Sequence, residues 1–267
     1  MDKPIMFEPY RAAAEIDVIP SYFPIPGLGI LPVNAFVLNA AQPILVDTGL
    51  VPLSDEFMEK LSSVIDLTDL CWLWLTHTDQ DHIGSLWRVL EAAPELRIIT
   101  TYLGVGKMSL FSPLPMDRVH LLNPGQSIDV GDRILTAIKP PIYDAPETTG
   151  FYDPKSAALF SSDCFGALMS EPSDSAAGIG TEKLRDGMVF WATIDAPWLH
   201  LVNRTLFEKN LNSIRELSPK LVLSAHLPVA SEMTEELLEN LGSAPEAKPF
   251  VGPDQKALEA MLKRITG

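Results

Sequence analysis

Short apolar runs, bounded by turn residues and rich in β-branched and aromatic side chains, recur through the first half of the chain. Such runs predict strands, because these side chains pack well on a pleated, buried surface. The predicted strands are Asn34 to Leu38, Ile44 to Val46, Trp72 to Leu75, Ile98 to Thr100 and Ile134 to Ile138.

Between these strands, apolar residues return at the spacing of a single helix face. Two helices are predicted in this way, one through Leu53, Phe57, Met58, Leu61 and Val64, the other through Ile83, Leu86, Val89, Leu90 and Ala93. Strands alternating with helices indicate an α/β layout.

The second half repeats the order with a strand from Ala158 to Ser161, a helix from Phe207 to Leu217 and a strand from Leu221 to Ala225. Two similar halves predict two sheets packed face to face with helices outside. A last helix is expected after Gly252-Pro253. The segment from Gly166 to Gly187 is rich in Ser, Ala and Gly without a period, so a long functional loop is expected there.

Composition narrows the classes of function. With 267 residues, 46% of them apolar, one domain spanning residues 1–267 is the default expectation. The net charge of −15 argues against a nucleic-acid partner. No apolar run is long enough to span a bilayer and the N-terminus lacks a signal-peptide pattern, so no membrane contact and a cytoplasmic location are expected. Cys71 and Cys164 are expected to be reduced thiols.

The densest chemical signal lies where one predicted strand stops. The segment Thr76-His77-Thr78-Asp79-Gln80-Asp81-His82 places four imidazole or carboxylate side chains within six residues. Both groups bind divalent cations, and a strand-to-helix turn holds them toward one point. The alternative is that Asp79 or Asp81 caps the following helix while His77 lies in the core.

Three other strands end in a residue of the same kind. Asp163 follows Leu159-Phe160-Ser161-Ser162, His226 follows Val222-Leu223-Ser224-Ala225, and Asp47 follows Ile44-Leu45-Val46. Ligands gather at the carboxyl ends of strands in open α/β sheets. Asp163 and His226 are therefore candidate metal ligands. Asp47 is either an outer carboxylate that accepts a hydrogen bond from a ligating imidazole or a simple turn residue.

Together, ILVDTG, THTDQDHIG, SSDCFG and SAHLP resemble the metallo-β-lactamase superfamily in order and spacing. That resemblance implies a four-layer αββα metallo-β-lactamase sandwich. The superfamily turn usually reads HxHxDH, whereas Asp79 gives HxDxDH here. A carboxylate at this position is similar to the oxygen-binding diiron branch, which includes the flavodiiron proteins.

The resemblance also implies a ligand set. The branch has a further histidine whose usual spacing falls on Asp144, so Asp144 is expected to replace it, with Glu147 or a water as alternatives. One ion would bind His77, Asp79 and Asp144, and the other Asp81, His82 and His226, with Asp163 as the bridge. Asp81 and His82 are the expected catalytic residues. His120 and His200 match no ligand motif and are expected to be structural.

Two divalent metal ions are thus expected, with iron favoured and zinc or manganese as alternatives. The function expected from the resemblance is a diiron site that reacts with or binds O2 or NO. About forty residues follow His226, too few for a flavin domain, so electrons would come from a separate donor protein. The alternatives are a metal-dependent hydrolase of a small-molecule ester, thioester, lactone or phosphodiester, and a non-catalytic oxygen or metal sensor. A homodimer also stays open.

Overall fold

Two β-sheets of eight and six strands form the centre of the computed structural model, which describes residues 3–266. The first sheet contains β1 (Ile5–Met6), β2 (Tyr10–Ala13), β3 (Ile16–Ile25), β4 (Gly29–Leu38), β5 (Ile44–Val46), β6 (Trp72–Trp74), β7 (Arg97–Thr100) and β8 (Val119–Leu121). The second contains β9 (Ser127–Asp129), β10 (Ile134–Ile138), β11 (Gly150–Asp153), β12 (Ala158–Phe160), β13 (Leu221–Leu223) and β14 (Ala230–Ser231).

The strand order places parallel pairs inside both sheets. The first sheet runs β1-β3-β4-β5-β6-β7-β8, with β2 paired to β3, and its strands from β5 to β8 are parallel. The second runs β14-β13-β12-β11-β10-β9, and β12 and β13 are its parallel pair. Parallel strands end at the same edge of a sheet, so residues after β5 and β6, or after β12 and β13, emerge side by side.

Aromatic side chains fill the space between the two sheets. The rings of Phe36 and Phe160 meet edge to face at 5.6 Å, and those of Trp74 and Phe151 lie 4.4 Å apart. Three of the strands that supply them, β4, β6 and β12, are buried on both faces. This double burial is why they appear in the sequence as continuous apolar runs rather than as alternating patterns.

Helices cover the outer face of each sheet. Phe57, Leu61 and Val89 pack on the first sheet, while Met188 and Leu211 pack on the second. The predicted α/β class and αββα layering are therefore confirmed. No helix within residues 3–266 is both long and apolar enough to cross a membrane. The helices are α1 (Ser54–Val64), α2 (Leu86–Ala92), α3 (Tyr102–Ser109), α4 (Thr181–Asp195), α5 (Arg204–Leu217), α6 (Thr234–Ser243) and α7 (Gln255–Thr266).

The long loop predicted from Gly166 to Gly187 is wrong in its second half. A 3-10 turn covers Ala176–Ile179, and α4 begins at Thr181. Gly187 looks like a loop residue, yet it lies inside the helix. Glycine is needed at this position because a Cβ would come within 2.3 Å of the carbonyl oxygen of Leu168. The glycine thus permits close packing of helix against backbone, which composition alone does not distinguish from a turn.

The N-terminal hairpin was only partly predicted. β3 and β4 pair along ten residues each, whereas the sequence indicated only the last half of β4. Pro20, Pro24 and Pro32 lie within these strands, and proline is a poor strand residue because it has no N–H to donate. The remaining predicted strands and helices are present, with their ends shifted by a few residues.

Candidate metal centre

The turn between β6 and α2 carries the four side chains from His77 to His82. The backbone amides of His82 and Ile83 both donate to the carbonyl of Asp79, at 2.9 and 3.1 Å, which closes the turn tightly. α2 begins only at Leu86, and no side chain caps it. The capping alternative for Asp79 and Asp81 is therefore wrong, and their carboxylates are available to the site.

Glycine is required where this turn meets the turn after β5. The amide of Gly84 donates to the carbonyl of Gly49 at 2.9 Å. A Cβ on Gly84 would lie 2.3 Å from that same oxygen and 2.3 Å from the amide nitrogen of Val51. The two turns touch through their backbones, which fixes the ligand-bearing segment relative to Asp47.

Three imidazoles converge on one buried carboxylate. Asp163 follows β12 and His226 follows β13 in the second sheet. Both side chains lie next to the turn after β6 of the first sheet, which carries His77 and His82. The Nε2 atoms of His77, His82 and His226 lie 3.2, 3.0 and 3.3 Å from carboxylate oxygens of Asp163. All four side chains are less than 5% exposed. The carboxylate that was expected to bridge therefore lies at the centre of the cluster.

Hydrogen bonds on the far side of two imidazoles fix their orientation. His82 donates from Nδ1 to Asp47 Oδ2 at 2.8 Å, and His226 donates from Nδ1 to the carbonyl of Pro32 at 2.8 Å. Both acceptors lack a proton of their own, so Nδ1 carries the hydrogen and Nε2 faces the cluster. Asp47 thus accepts a hydrogen bond from an imidazole, as one of the two expectations for it required.

The atoms at the centre are placed as ligands of a metal ion would be, rather than as partners in hydrogen bonds. His82 Nε2 and Asp163 Oδ1 are buried and have no hydrogen-bond partner in the described part of the chain. Two ligand atoms about 2.1 Å from one ion, at right angles to each other, lie about 3 Å apart. Their separation of 3.0 Å matches that spacing. Imidazole nitrogen and carboxylate oxygen together suit a divalent cation.

The remaining predicted ligands lie around this centre. Asp81 Oδ2 lies 3.5 Å from His226 Nε2 and 3.7 Å from His82 Nε2. His77, Asp79 and Asp144 form a second group, with ligand atoms within 4.8 Å of one another. The structure therefore brings all seven predicted residues together in two adjoining groups. Their roles as ligands, and those of Asp81 and His82 in catalysis, stay predictions.

Glu147, the alternative to Asp144, is engaged elsewhere. It forms an ion pair with Lys107 and accepts a hydrogen bond from Thr78 Oγ1 at 2.9 Å. Burial would raise the pKa of Glu147, but Lys107 outweighs that effect and lowers it. Lys107 Nζ also lies 3.6 Å from Asp79 Oδ1. Glu147 thus anchors a lysine beside the carboxylates, a contact that could not be predicted from the sequence.

The charges of the cluster depend on one another. Burial alone would lower the pKa of His82, but the carboxylates of Asp163, Asp81 and Asp47 raise it well above the ordinary value. Burial alone would raise the pKa of Asp163, yet the three imidazoles hold it well below its usual range. The carboxylates thus favour positive charge at this position, which a bound cation would supply.

The other histidines lie away from the centre, as expected. The His120 ring packs edge to face on Trp72, and His200 is exposed on a short 3-10 turn with Nδ1 bonded to the carbonyl of Pro197. Cys71 and Cys164 are both free thiols. Burial raises the pKa of the Cys164 thiol, consistent with its expected inert role.

Helix α4 supplies two further side chains to the site, and Asp195 is the one that the sequence did not single out. Trp191 packs edge to face on His226 with ring centroids 5.3 Å apart, and Asp195 lies near Asp144 and Asp163. Gly166 leaves room for this packing, since a Cβ there would lie 2.7 Å from both Trp191 and His226. The two residues are four apart on one helix, a spacing that would have indicated a shared face had the helix been predicted.

A cavity of about 390 Å³ opens onto Asp81. Its walls are apolar side chains, among them Phe23, Leu31 and Trp191, and only Gln80 and Asp81 bring carboxamide or carboxylate groups. The approach to the cluster from this side is therefore poor in groups that could hold a polar substrate.

Comparison with known proteins gives the family. A family model described as ODP family beta lactamase matches residues 31–226, well over half of the chain. The chain belongs to this family. The match runs from β4 to His226 and so includes each of the predicted ligands, which confirms the expected metallo-β-lactamase-like assignment.

Relatives of this ODP family chain include proteins named as nitric oxide reductases. It is 25% identical over 189 residues to the nitric oxide reductase of Moorella thermoacetica, covering 70% of this chain and 47% of that protein. It is 26% identical over 182 residues to the anaerobic nitric oxide reductase flavorubredoxin of Salmonella typhi, covering 66% and 37%. The chain thus spans only about a third to a half of the length of these relatives.

Solved structures share the fold. The rubredoxin oxygen:oxidoreductase of Desulfovibrio gigas superposes with a TM-score of 0.78 at 18% identity, covering 91% of this chain and 63% of that one. A putative diflavin flavoprotein fragment from Nostoc gives 0.75 at 16% identity, covering 91% and 97%. The ODP family chain therefore has the metallo-β-lactamase-like architecture of flavodiiron proteins.

Proposed function

We propose that this chain holds two iron ions and that its centre reacts with or binds O2 or NO, using electrons from an external donor. The observation that carries the proposal is the donor set, in which three imidazoles meet four carboxylates and no thiolate. Carboxylate oxygen with imidazole suits iron or manganese, although zinc accepts the same ligands. The names of the relatives from Moorella and Desulfovibrio support nitric oxide or oxygen as the reactant.

In this proposal the residues have separate tasks. One ion would be held by His77, Asp79 and Asp144, the other by Asp81, His82 and His226, and Asp163 would be shared by both. Two ferrous ions would supply the electrons and the open positions that a diatomic gas requires. Asp47 and the carbonyl of Pro32 hold two imidazoles with Nε2 toward the ions.

The apolar cavity favours a small, uncharged reactant. A hydrolase for an ester or phosphodiester needs polar groups to position its substrate, whereas O2 and NO need only space and an open coordination position. Phe23, Leu31 and Trp191 give the cavity this character. They would also limit the access of water to the side of the centre where Asp81 lies.

The test is a single mixing experiment. Protein loaded anaerobically with Fe²⁺ is mixed with a stoichiometric amount of NO or O2, and the gas remaining is followed with an electrode while absorbance is recorded. We expect loss or binding of at least one gas, and none with zinc-loaded protein. A zinc- or iron-loaded protein that instead cleaves lactones or esters without oxygen, and leaves both gases untouched, would favour the hydrolase.

A further inference from the structure

Asp195 lies at the last position of α4, next to the metal centre. A carboxylate oxygen of Asp195 lies within 4.8 Å of carboxylate oxygens of Asp144 and Asp163. Asp195 Oδ2 is buried and has no hydrogen-bond partner among residues 3–266. Because Trp191, one turn earlier, packs on His226, the helix face that carries Asp195 is turned toward the centre.

Two of these three carboxylates have a buried oxygen atom without a hydrogen-bond partner in the described part of the chain. Asp163 is only 4% exposed, and its Oδ1 also lacks a hydrogen-bond partner in the part of the chain described. Lys107, the lysine beside the centre, pairs with Glu147 and Asp79 instead. Carboxylates at this spacing repel each other unless a proton or a metal ion lies between them, and the repulsion is least screened at the buried Asp163, whereas Asp144 is exposed.

The electrostatics agree with that geometry. Burial, and then the charges of Asp163 and Asp144, raise the pKa of Asp195 well above its usual value, while His82 opposes them and Asp81 adds to them. The pKa of Asp144 is also raised, and burial is the largest cause.

We propose that Asp195 is a further metal ligand, which binds the same ion as Asp144. The inference rests on the proposed dinuclear centre and adds to its ligand set. Asp144 belongs both to the group with Asp163 and Asp195 and to the group with His77 and Asp79, so it connects Asp195 to the first ion. The ligand of this site is a hard divalent or trivalent cation, since oxygen donors dominate around it.

The extra carboxylate changes the charge of the centre. Five aspartates, Asp79, Asp81, Asp144, Asp163 and Asp195, carry five negative charges when all are ionised. Two divalent ions leave one of these charges unbalanced, whereas one divalent and one trivalent ion balance them. Compared with a centre of four aspartates, Asp195 therefore stabilises the more oxidised state of a redox-active pair of ions.

The test uses Mn²⁺ as the probe, because free and bound Mn²⁺ are distinguished by electron paramagnetic resonance. Wild-type protein, Asp195→Asn and Asp186→Asn are titrated in parallel. Asp186 is the matched control, since it lies on the same helix with its side chain 72% exposed. We expect Asp195→Asn to weaken binding of one ion by about tenfold or more, the scale on which metal sites respond to a lost partner, and Asp186→Asn to change nothing.

Wild-type affinity and stoichiometry in Asp195→Asn would overturn the inference. A wild-type protein that binds fewer than two ions would contradict the dinuclear centre, while the ratio of affinities between variant and wild type would still decide the role of Asp195.

Thermal unfolding at pH 8 provides a second readout. In a chelator Asp195→Asn should melt higher than wild type, because a repelled charge is removed, and Mn²⁺ should raise its melting temperature less. A lower melting temperature in the chelator, with an unchanged response to Mn²⁺, would show a purely structural aspartate.

Discussion

Replacing Asp163 by asparagine is expected to abolish stable metal binding at both positions. Among the described residues, Asp163 is the side chain that lies within 3.3 Å of Nε2 of all three histidines, so it is the contact common to both predicted ions. Asparagine keeps the shape but loses the charge and one acceptor oxygen. Loss of an outer hydrogen-bond partner typically costs about 10- to 100-fold in metal affinity, and loss of a bridging ligand should cost more.

The measurement is the metal content of Asp163→Asn and wild type purified side by side, followed by competition with a chelator. The Asp186→Asn control should match wild type. Because the imidazoles hold the pKa of Asp163 low, its ionised form also stabilises the metal-free fold, so Asp163→Asn should melt lower in a chelator. That sign is the reverse of the one expected for Asp195→Asn. Two ions retained at wild-type affinity would exclude Asp163 as the bridge.

Replacing Asp47 by alanine is expected to damage both stability and metal affinity. Asp47 accepts hydrogen bonds from the amide and hydroxyl of Thr76, at 2.8 and 2.7 Å, and from Nδ1 of His82. Three buried donors would lose their acceptor, at about 1–3 kcal/mol each. Asp47 also has φ of 57°, a left-handed conformation that aspartate tolerates better than alanine. We expect a loss of about 3 kcal/mol or more in the free energy of unfolding.

The metal affinity of Asp47→Ala should fall by about 10- to 100-fold, because His82 loses the partner that fixes its tautomer. Urea unfolding of the metal-free protein and calorimetric titration with Mn²⁺ measure the two effects separately. Asp47→Asn is the control, since its amide oxygen still accepts a hydrogen bond and its side chain tolerates the left-handed backbone. It should lie between wild type and alanine. Equal affinities in all three proteins would mean that His82 needs no orientation by Asp47.

Much of the site was predictable because its residues follow buried strands. Asp47, His77, Asp163 and His226 each come a few residues after an apolar run. Parallel pairing brings Asp47 and His77 to one edge of the first sheet, and Asp163 and His226 to one edge of the second. The packing of the two sheets then brings these edges together. A strand end is visible in sequence as the point where apolar residues stop. The αββα layering follows from the same runs together with the amphipathic helices between them.

The contribution of α4 was not predictable in this way. The helix begins in a polar segment and contains Gly187, whose place is set by contact with the backbone of Leu168 rather than by local preference. Without the helix, nothing relates Trp191 and Asp195 to each other or to Asp163. The choice between Asp144 and Glu147 likewise depends on Lys107, which lies far away in sequence and reaches Glu147 only through the fold.

The central claim is that this chain holds a dinuclear iron centre. The most direct test is mass-spectrometric metal analysis of protein produced in iron-rich medium and purified anaerobically without chelators. We expect about two equivalents of iron per chain, and this content should fall in Asp163→Asn. One equivalent of zinc with no iron, in protein that takes up no second metal on reconstitution, would contradict it.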